Sequence, residues 1–290
     1  MAESPETVGG VLRRRTRVRD CLLLAAVPVV LIGVFLLPES VRQSFVFVYS
    51  DPTLLRAYTA HFVHLSRSHL LANLLAYGLL ATFGYLLALL GRRRRLFGVA
   101  LLTYLLAFPP VLSALNLAIP RDAVGYGFSG INMAIVGLFP VLLFEMVGRH
   151  VDVRIETRHS PMLFFAGISV IAGIGLPRVP ISLGIVTASL LATTLYGLSL
   201  VDSLPSRGTW APSVRERSWP SGWGDLVALG LVLYVGMLFV AFPHDPQSGM
   251  TTLNTYVHLL AFSLGFQVPY LGIELGLFGR GYRPGPGEGE

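Results

Sequence analysis

Three short polar clusters interrupt an otherwise mostly apolar sequence, and together they hold the side chains that acyl transfer requires. The first contains His64, His69 and Asn73, the second is centred on Ser129, and the third on His258. A serine hydroxyl is a weak nucleophile at neutral pH, so it needs a neighbouring base such as histidine. Asparagine and histidine side chains can donate hydrogen bonds to the oxyanion that the attack creates. These residue types therefore favour nucleophilic attack by a serine on an acyl group.

Glycines surround the serine in the stretch Gly125-Tyr-Gly127-Phe-Ser129-Gly130-Ile-Asn132. Glycine lets a loop turn sharply and lets backbone approach closely. An apolar segment follows, so the serine is expected at a helix N-terminus, where free backbone N–H groups can stabilise an oxyanion. Taken alone, the motif is also typical of small-residue packing between membrane helices.

The histidine clusters also have simpler explanations when each is taken alone. His69 and Asn73 are four residues apart and share one helix face, where water or lipid headgroups could satisfy them. His258 could be hydrogen-bonded for packing alone, with Ala261 and Gly265 forming a small-residue face beside it. A nucleophile, a base and oxyanion donors on three segments at one shallow depth favour the chemical interpretation.

The composition of the chain indicates a polytopic membrane protein. Of its 290 residues, 53% are apolar and only 13% are charged, and the mean hydropathy is +0.65. A soluble domain of this size carries about 25% charged residues. Cys21 is the only cysteine, which excludes an intramolecular disulfide and a metal site built on cysteine pairs. We predict neither a metal nor an organic cofactor.

Eight stretches are candidate crossings of a bilayer, each of which needs about 20 mostly apolar residues. The fifth is the shortest. The first follows a basic N-terminus without a small-residue cleavage site, so it is interpreted as an uncleaved signal anchor. The third contains Pro109 and Pro110, which predict a kink or a break. The predicted crossings cover residues 20–37, 68–90, 96–118, 129–147, 161–176, 180–200, 224–242 and 252–276.

The arginines predict the orientation, because cytoplasmic loops carry an excess of positive charge. All 22 basic residues are arginine, and 17 of them lie inside if the N-terminus is cytoplasmic. The orientation makes residues 1–19 a basic cytoplasmic tail, 20–276 the transmembrane domain and 277–290 a disordered C-terminal tail at the cytoplasmic side. It also explains the net charge of +6 without a nucleic-acid partner. The arginines left outside are Arg42, Arg56, Arg67, Arg121 and Arg178.

In all three clusters the sequence resembles the rhomboid family of intramembrane serine proteases. The shared features are an H-x4-H-x3-N pattern at 64–73, a G-F-S-G stretch at 127–130 and a histidine followed by small residues at 258–265. The resemblance implies an all-α, six-helix core plus about two extra transmembrane helices. Three crossings rather than one separate the serine from the last histidine, and adding a pair preserves parity. We therefore expect two helices among residues 161–242 to pack outside the core.

The resemblance also implies a reaction and the roles of the site residues. In that family a serine and a histidine on the last core helix form a catalytic dyad, and a histidine and an asparagine on the second helix serve the oxyanion hole. The chain is then expected to cut transmembrane or membrane-proximal peptide bonds of protein substrates, near the outer surface of the cell membrane. The implied residues are Ser129 and His258 for the dyad, His69 and Asn73 for the oxyanion hole, and His64, Gly127 and Gly130 in support.

Several positions depart from the family pattern. They leave open a catalytically silent rhomboid-like protein that binds membrane clients. A transporter or channel is a further alternative, which the lack of a carboxylate at mid-membrane in the predicted crossings disfavours. Leu55-Arg56 stands where Trp-Arg is usual, Ala261 where glycine follows the histidine, and Met133 where many relatives have an aromatic residue packed on the histidine.

Overall fold

The fold is a bundle of helices with one short pair of strands. The computed structural model describes residues 8–119, 122–150, 155–176, 179–203, 222–243 and 254–278. The antiparallel strands are β1 (Phe47–Val48) and β2 (Val124–Gly125), and short 3-10 helices span Ala60–Phe62 and Thr157–His159. The helices are α1 (Val8–Arg15), α2 (Val18–Phe35), α3 (Glu39–Ser44), α4 (Leu54–Thr59), α5 (Arg67–Leu90), α6 (Arg94–Leu106), α7 (Phe108–Asn116), α8 (Ser129–His150), α9 (Pro161–Gly175), α10 (Pro180–Ser203), α11 (Trp223–Ala241) and α12 (Thr255–Glu274).

Six of the described helices are long and apolar enough to cross a membrane, namely α2, α5, α8, α10, α11 and α12, and the bent pair of α6 and α7 could be one more. The chain is therefore a multi-pass helical membrane protein, as its composition predicts. The predicted crossing at 161–176 corresponds to helix α9 and is the shortest, as the sequence predicts, but it is not among these six. Its helix α9 has 15 residues, about 22 Å at ~1.5 Å per residue, which is shorter than a hydrocarbon core of roughly 30 Å. The count of eight crossings stays a prediction.

The expected break at Pro109 and Pro110 is confirmed. α6 and α7 meet just before these prolines, and their axes differ by 51°. Both prolines lie in the first turn of α7, where a missing N–H costs least because those groups have no partner within the helix. On α6, the hydroxyl of Tyr104 donates a hydrogen bond of 2.6 Å to the carbonyl oxygen of Gly265. This bond fixes the end of α6 against α12, just before the break.

α8 is the central helix of the bundle. Its most apolar window is 94% buried, against 50% for α5 and α12 and 11% for α2 and α10. A helix that is hydrophobic all round is typically buried on every side, and α8 has this character from Met133 to Phe144. Because Ser129 is its first residue, the serine is attached to the most enclosed element of the molecule.

α12 approaches α8 so closely that side chains would not fit at two glycines. A Cβ atom on Gly137 would overlap the carbonyl oxygen of Phe262, and one on Gly265 would overlap the backbone of Ala134. Small residues permit such approach between membrane helices. The small face predicted on α12 lies in this contact, since Ala261 is fully buried as well.

α9 and α10 pack against each other, and α10 lies at the edge of the bundle. α9 contacts α12 through Phe164, whose ring stacks on that of Phe266 with 4.3 Å between centroids. On α10 only Ser182 and Ser189 are buried among the described side chains, while its leucines are exposed along the helix. An exposed leucine face suits contact with lipid tails, which are equally apolar.

The end of the bundle opposite to the start of α8 is held by ion pairs. Arg93 Nε lies 2.8 Å from Glu145 Oε2, and both side chains are largely buried. The hydroxyl of Thr157 donates to the same carboxylate. A second pair joins Arg94 Nη1 to Asp20 Oδ2 at 2.9 Å. Charged groups thus cross-link the ends of α2, α5, α6 and α8 on this side.

The predicted tails are only partly within the described residues. Residues 8–15 of the predicted N-terminal tail form α1, and Val11 of this helix is buried in the core. Burial of an apolar side chain away from water stabilises the folded state. At the other end the described chain packs as far as Phe278, whose carbonyl oxygen accepts a hydrogen bond of 3.2 Å from Arg93. Residues 279–290 lie outside the described residues, as does 251–253, where the last crossing was expected to begin.

Candidate active site

Ser129 begins α8 directly after a tight turn of the preceding loop. Gly127 in this turn has φ +107°, in the left-handed region that favours glycine. A Cβ atom there would come within 2.9 Å of His69 Nε2, so glycine is also required to let the loop pass the imidazole. The N–H of Gly127 donates to the carbonyl oxygen of Ala60 at 2.9 Å. These restraints set the place at which α8 begins, and hence the place of the serine.

Gly130 has a weaker steric requirement than its place in the motif implies. A Cβ atom there would meet Leu112 at 3.6 Å and Val257 at 3.9 Å, which are ordinary van der Waals distances. The expected supporting role of Gly130 therefore does not follow from a close approach, whereas that of Gly127 does.

His258 lies in the first turn of α12 and faces the serine. Asn254 caps this helix, since its Oδ1 accepts a hydrogen bond of 3.1 Å from the N–H of Val257. The distance from His258 Nε2 to Ser129 Oγ is 2.8 Å, within the 2.6–3.2 Å range of a nucleophile–base hydrogen bond (~3 Å). The predicted proximity of the two side chains is confirmed. Their catalytic roles stay predictions.

The other ring nitrogen of His258 is held by a backbone carbonyl. Nδ1 lies 3.0 Å from the carbonyl oxygen of Ala241, the last residue of α11. A carbonyl oxygen only accepts, so Nδ1 must carry the proton and Nε2 must have a free lone pair towards Ser129. The ring of Phe242 contacts the imidazole edge to face, with 6.1 Å between centroids. Neutral groups therefore orient His258, and among the described residues no carboxylate is hydrogen-bonded to it.

His69 and Asn73 lie on α5 beside the loop that carries the serine. The ring of His69 contacts that of Tyr126 at 5.7 Å between centroids. Asn73 is buried, and its Nδ2 donates to the carbonyl oxygen of His69 at 3.1 Å. Asn132, one helical turn after the serine, donates through Nδ2 to Asn73 Oδ1 at 3.2 Å. α5 and α8 are thus joined directly beneath Ser129, with both expected oxyanion donors at this junction.

His64 supports the serine loop from the other side. It is fully buried, and its Nε2 accepts a long hydrogen bond of 3.4 Å from the N–H of Phe128. Burial, with a contribution from nearby His69, lowers the pKa of His64 to about 3. The ring is therefore neutral at physiological pH and can act as an acceptor. His61 of the same cluster instead bonds Ser113 on α7, with 3.1 Å between Nε2 and Oγ.

Arg42 is a supporting residue that the sequence analysis did not identify. Its Nη1 donates to the carbonyl oxygen of His64 at 2.5 Å and its Nε to that of Leu37 at 3.2 Å. The guanidinium also lies 4.5 Å from the ring centroid of Phe35, a cation–π distance. The available signal was its position, because Arg42 is one of the five arginines that the sequence analysis predicts on the outer side. Arg56, the residue that matches the family pattern, makes an exposed pair with Asp51 and donates from Nε to the carbonyl oxygen of Ser44 at 3.3 Å.

Phe242 and Ala241 were also missed, because they lie far from the serine motif in the sequence. Many rhomboid relatives have an aromatic residue at the position of Met133, and this chain lacks it. Met133 is buried there, and Phe242 supplies an aromatic ring from α11 instead. Only the fold reveals that the end of α11 meets the first turn of α12.

Metal binding has no structural support in the described part of the chain, where no group of three histidine, cysteine or carboxylate side chains could hold an ion. Comparisons of the chain with models of protein families, with curated proteins and with solved structures each found no match.

Proposed function

We propose that this chain is a rhomboid-like intramembrane serine protease, which cuts transmembrane or membrane-proximal peptide bonds of protein substrates. The observation that carries the proposal is the 2.8 Å hydrogen bond between Ser129 Oγ and His258 Nε2. It is supported by the carbonyl oxygen of Ala241, which selects the tautomer that a base requires.

The proposed reaction uses the dyad twice. Ser129 Oγ attacks the carbonyl carbon of the scissile bond while its proton moves to His258 Nε2. The imidazolium then gives this proton to the leaving amine as the C–N bond breaks, which leaves an ester on Ser129. Water attacks the ester, its proton moves to Nε2, and then returns to Oγ as the acid product leaves. The hydrogen bond from Nδ1–H to Ala241 stabilises the imidazolium at each stage, in the position that a carboxylate occupies in a triad.

The oxyanion is proposed to form between the start of α8 and the adjoining end of α5. Backbone N–H groups at the first turn of α8 have no partner within the helix, so they can donate to a negative oxygen beside Ser129. His69 is half-buried and next to the serine loop, and it is the side-chain donor with the best access. Asn73 uses Nδ2 for the carbonyl oxygen of His69, and the second N–H of this amide serves the oxyanion in the proposal.

The contact of the dyad also supports the proposed topology of eight crossings. Ser129 begins α8 and His258 lies near the beginning of α12, so both helices start on the same side of the membrane. Counted from the start of α8 to the start of α12, the number of crossings must therefore be even. This holds if α8, α9, α10 and α11 all cross, so the proposal requires α9 to cross as well. A short α9 can do so where the bilayer thins locally. In this proposal α9 and α10 are the extra pair, and α11 belongs to a six-helix core.

The proposal places both termini in the cytoplasm of a multi-pass cell-membrane protein, and the dyad near the outer surface. The end with Arg93 and Arg94 then faces the cytoplasm, in agreement with the arginine distribution. Substrates are transmembrane proteins that reach Ser129 laterally or from the outer side, where the serine is half-exposed.

The test is labelling of the purified full-length chain with a fluorophosphonate probe, which reacts with activated serines. We expect the wild type to be labelled and Ser129→Ala to remain unlabelled. Ser169→Ala is the matched control, because the Ser169 hydroxyl lies in α9 and donates to its own helix at the carbonyl oxygen of Phe165. Equal labelling of the wild type and Ser129→Ala contradicts the proposal. Labelling without cleavage of any model transmembrane substrate favours the silent rhomboid-like alternative.

A further inference from the structure

Asn132 lies one helical turn after Ser129, and its side chain contacts Asn73 through two hydrogen bonds. Its Nδ2 lies 3.1 Å from the backbone carbonyl oxygen of Asn73 and 3.2 Å from Oδ1 of the same residue. Residues three apart on a helix are neighbours on its surface, so the first turn of α8 carries both the serine and this amide. Both asparagines are buried. One enclosed stretch of helix therefore holds the nucleophile and contacts an expected oxyanion donor.

These bonds determine which way round the amide of Asn73 lies. A backbone carbonyl oxygen only accepts, so the atom of Asn132 that faces it must be the nitrogen. The same nitrogen faces the end of the Asn73 side chain, where the atom must therefore be the oxygen. The nitrogen of Asn73 then lies on the other side and donates to the carbonyl oxygen of His69 at 3.1 Å. The reversed amide would place N–H against N–H at Asn132 and oxygen against oxygen at His69.

The packing of α5 on α8 does not depend on this polar contact. Closer to the middle of both helices, the ring centroids of Phe83 and Phe139 lie 6.2 Å apart, and a Cβ atom added to Gly84 would lie 3.4 Å from Phe139. Asn132 also carries a cost, because its Oδ1 is buried and has no hydrogen-bond donor among the described residues. Apolar contacts already join the two helices, and a side chain with an unpaired oxygen adds little to that purpose.

On the basis of the protease function proposed above, we propose that Asn132 is a positioning residue of the oxyanion hole. It keeps the nitrogen of the Asn73 amide on the side of His69, where the oxyanion is proposed to form. Asn132 does not contact the substrate. It holds the oxygen end of the Asn73 amide, so that the second N–H of Asn73 keeps its direction as negative charge develops. A donor that is held in place by a neighbouring hydrogen bond needs no reorganisation during the attack.

The experiment is a double-mutant cycle between Asn132 and Asn73 in the full-length chain, with cleavage of a model transmembrane substrate as the readout. Asn132→Ala should lower kcat by about tenfold or more and change KM by less than about twofold, because an oxyanion donor acts in the transition state. In the Asn73→Ala background the same substitution should lower kcat by less than about twofold further, since no amide remains for Asn132 to position.

Asn116→Ala is the matched control, because Asn116 is also a buried asparagine but donates to the hydroxyl of Tyr49. Whatever its own effect on kcat, that effect should be the same with and without Asn73→Ala. A smaller folded fraction would likewise lower kcat equally in the two backgrounds, whereas a loss of positioning would not. Asn132→Leu keeps the size of the side chain but cannot donate, and it should repeat the result of Asn132→Ala.

Equal losses from Asn132→Ala in the two backgrounds overturn the proposal, as does wild-type activity in both Asn132 variants. Failure of both variants to fold, measured by thermal unfolding, overturns it as well, because Asn132 is then required for the helix pair itself. Ser129→Ala separates the positioning role from the protease function. Serine-dependent cleavage that no Asn132 variant alters contradicts the positioning role alone, while the absence of serine-dependent cleavage in the wild type contradicts both.

Discussion

The helix pairs α8–α12 and α9–α10 are both apolar and rich in small residues, yet they differ in what the small residues do. In the first pair, Gly137 and Gly265 lie where any side chain would overlap the backbone of the other helix. In the second pair, Gly184 of α10 has nothing within 4 Å of an added Cβ. Small residues therefore fix the position of the first pair, whereas Gly184 lies on the exposed face of α10.

The contrast teaches how the dyad can be positioned without charge. A nucleophile and a base must be held within hydrogen-bond distance by elements that do not move relative to each other. α8 and α12 meet within two helical turns of Ser129 and His258, and the remaining contacts of His258 are a carbonyl oxygen and an aromatic ring. Ion pairs lie at the opposite end of the bundle, where Glu145 and Arg93 meet. Close packing thus orients the dyad and leaves its electrostatics neutral.

The largest expected effect is on the dyad itself. His258→Ala should lower the turnover of a model transmembrane substrate by roughly 10⁴–10⁶-fold, because no other described base contacts Ser129 Oγ. The double variant with Ser129→Ala should lose no more than either single variant, since the two act as one unit. A steady-state assay on purified protein measures this. Additive losses would show that the residues act separately.

A smaller loss is expected at the junction of α5 and α8. Asn73→Ala should reduce kcat by roughly 10²–10³-fold, the scale found when one oxyanion donor is removed. KM should change little, because the donor acts mainly in the transition state. Asn116→Ala is the control, since Asn116 is a buried asparagine whose Nδ2 donates to the hydroxyl of Tyr49 rather than to a group proposed to serve the oxyanion. A drop in kcat of the same size in both variants would indicate loss of folding rather than of an oxyanion donor.

The glycine contrast can be tested directly with one added methyl group. Gly265→Ala should destabilise the protein by about 1–3 kcal/mol through overpacking and should lower activity by displacing His258. Gly184→Ala should leave activity unchanged and stabilise α10 slightly, because alanine favours helix by up to about 1 kcal/mol over glycine. Thermal unfolding in detergent and a cleavage assay measure both effects. Equal tolerance at the two positions would refute the distinction between the pairs.

The last comparison is between two arginines of the segment before α5, whose loss should affect stability rather than chemistry. Arg42→Gln removes the donors to the carbonyl oxygens of Leu37 and His64, and we expect a loss of about 1.5–3 kcal/mol in stability, the scale for hydrogen bonds to charged groups. Arg56→Gln removes an exposed ion pair with Asp51 and an exposed hydrogen bond to the carbonyl oxygen of Ser44, and exposed contacts of this kind contribute at most about 1 kcal/mol. Unfolding curves of the two variants distinguish the cases. A larger effect at Arg56 would reverse the assignment of the supporting arginine.

Much of this arrangement could be predicted from the sequence. Long apolar stretches predict membrane helices whatever their neighbours, and Pro109 with Pro110 predicts a break because proline cannot continue a helix. The proximity of Ser129 and His258 follows from their types and shared depth, once three clusters are considered together. Short-range rules suffice for each of these predictions.

The remaining features depend on contacts between distant segments. The carbonyl oxygen of Ala241 carries no signal in its own side chain, so its bond to His258 is visible only in the fold. Gly137 and Gly184 are both glycines within apolar helices, and nothing in their local sequence distinguishes the packed one from the exposed one.

The most direct measurement of the central claim is cleavage of a transmembrane substrate in vesicles that contain only the substrate and the purified full-length chain. The account predicts that the wild type and Ser169→Ala cut the substrate at the same rate, and that Ser129→Ala does not cut it although its unfolding temperature is unchanged. Cleavage by Ser129→Ala at the rate of the wild type would contradict the account.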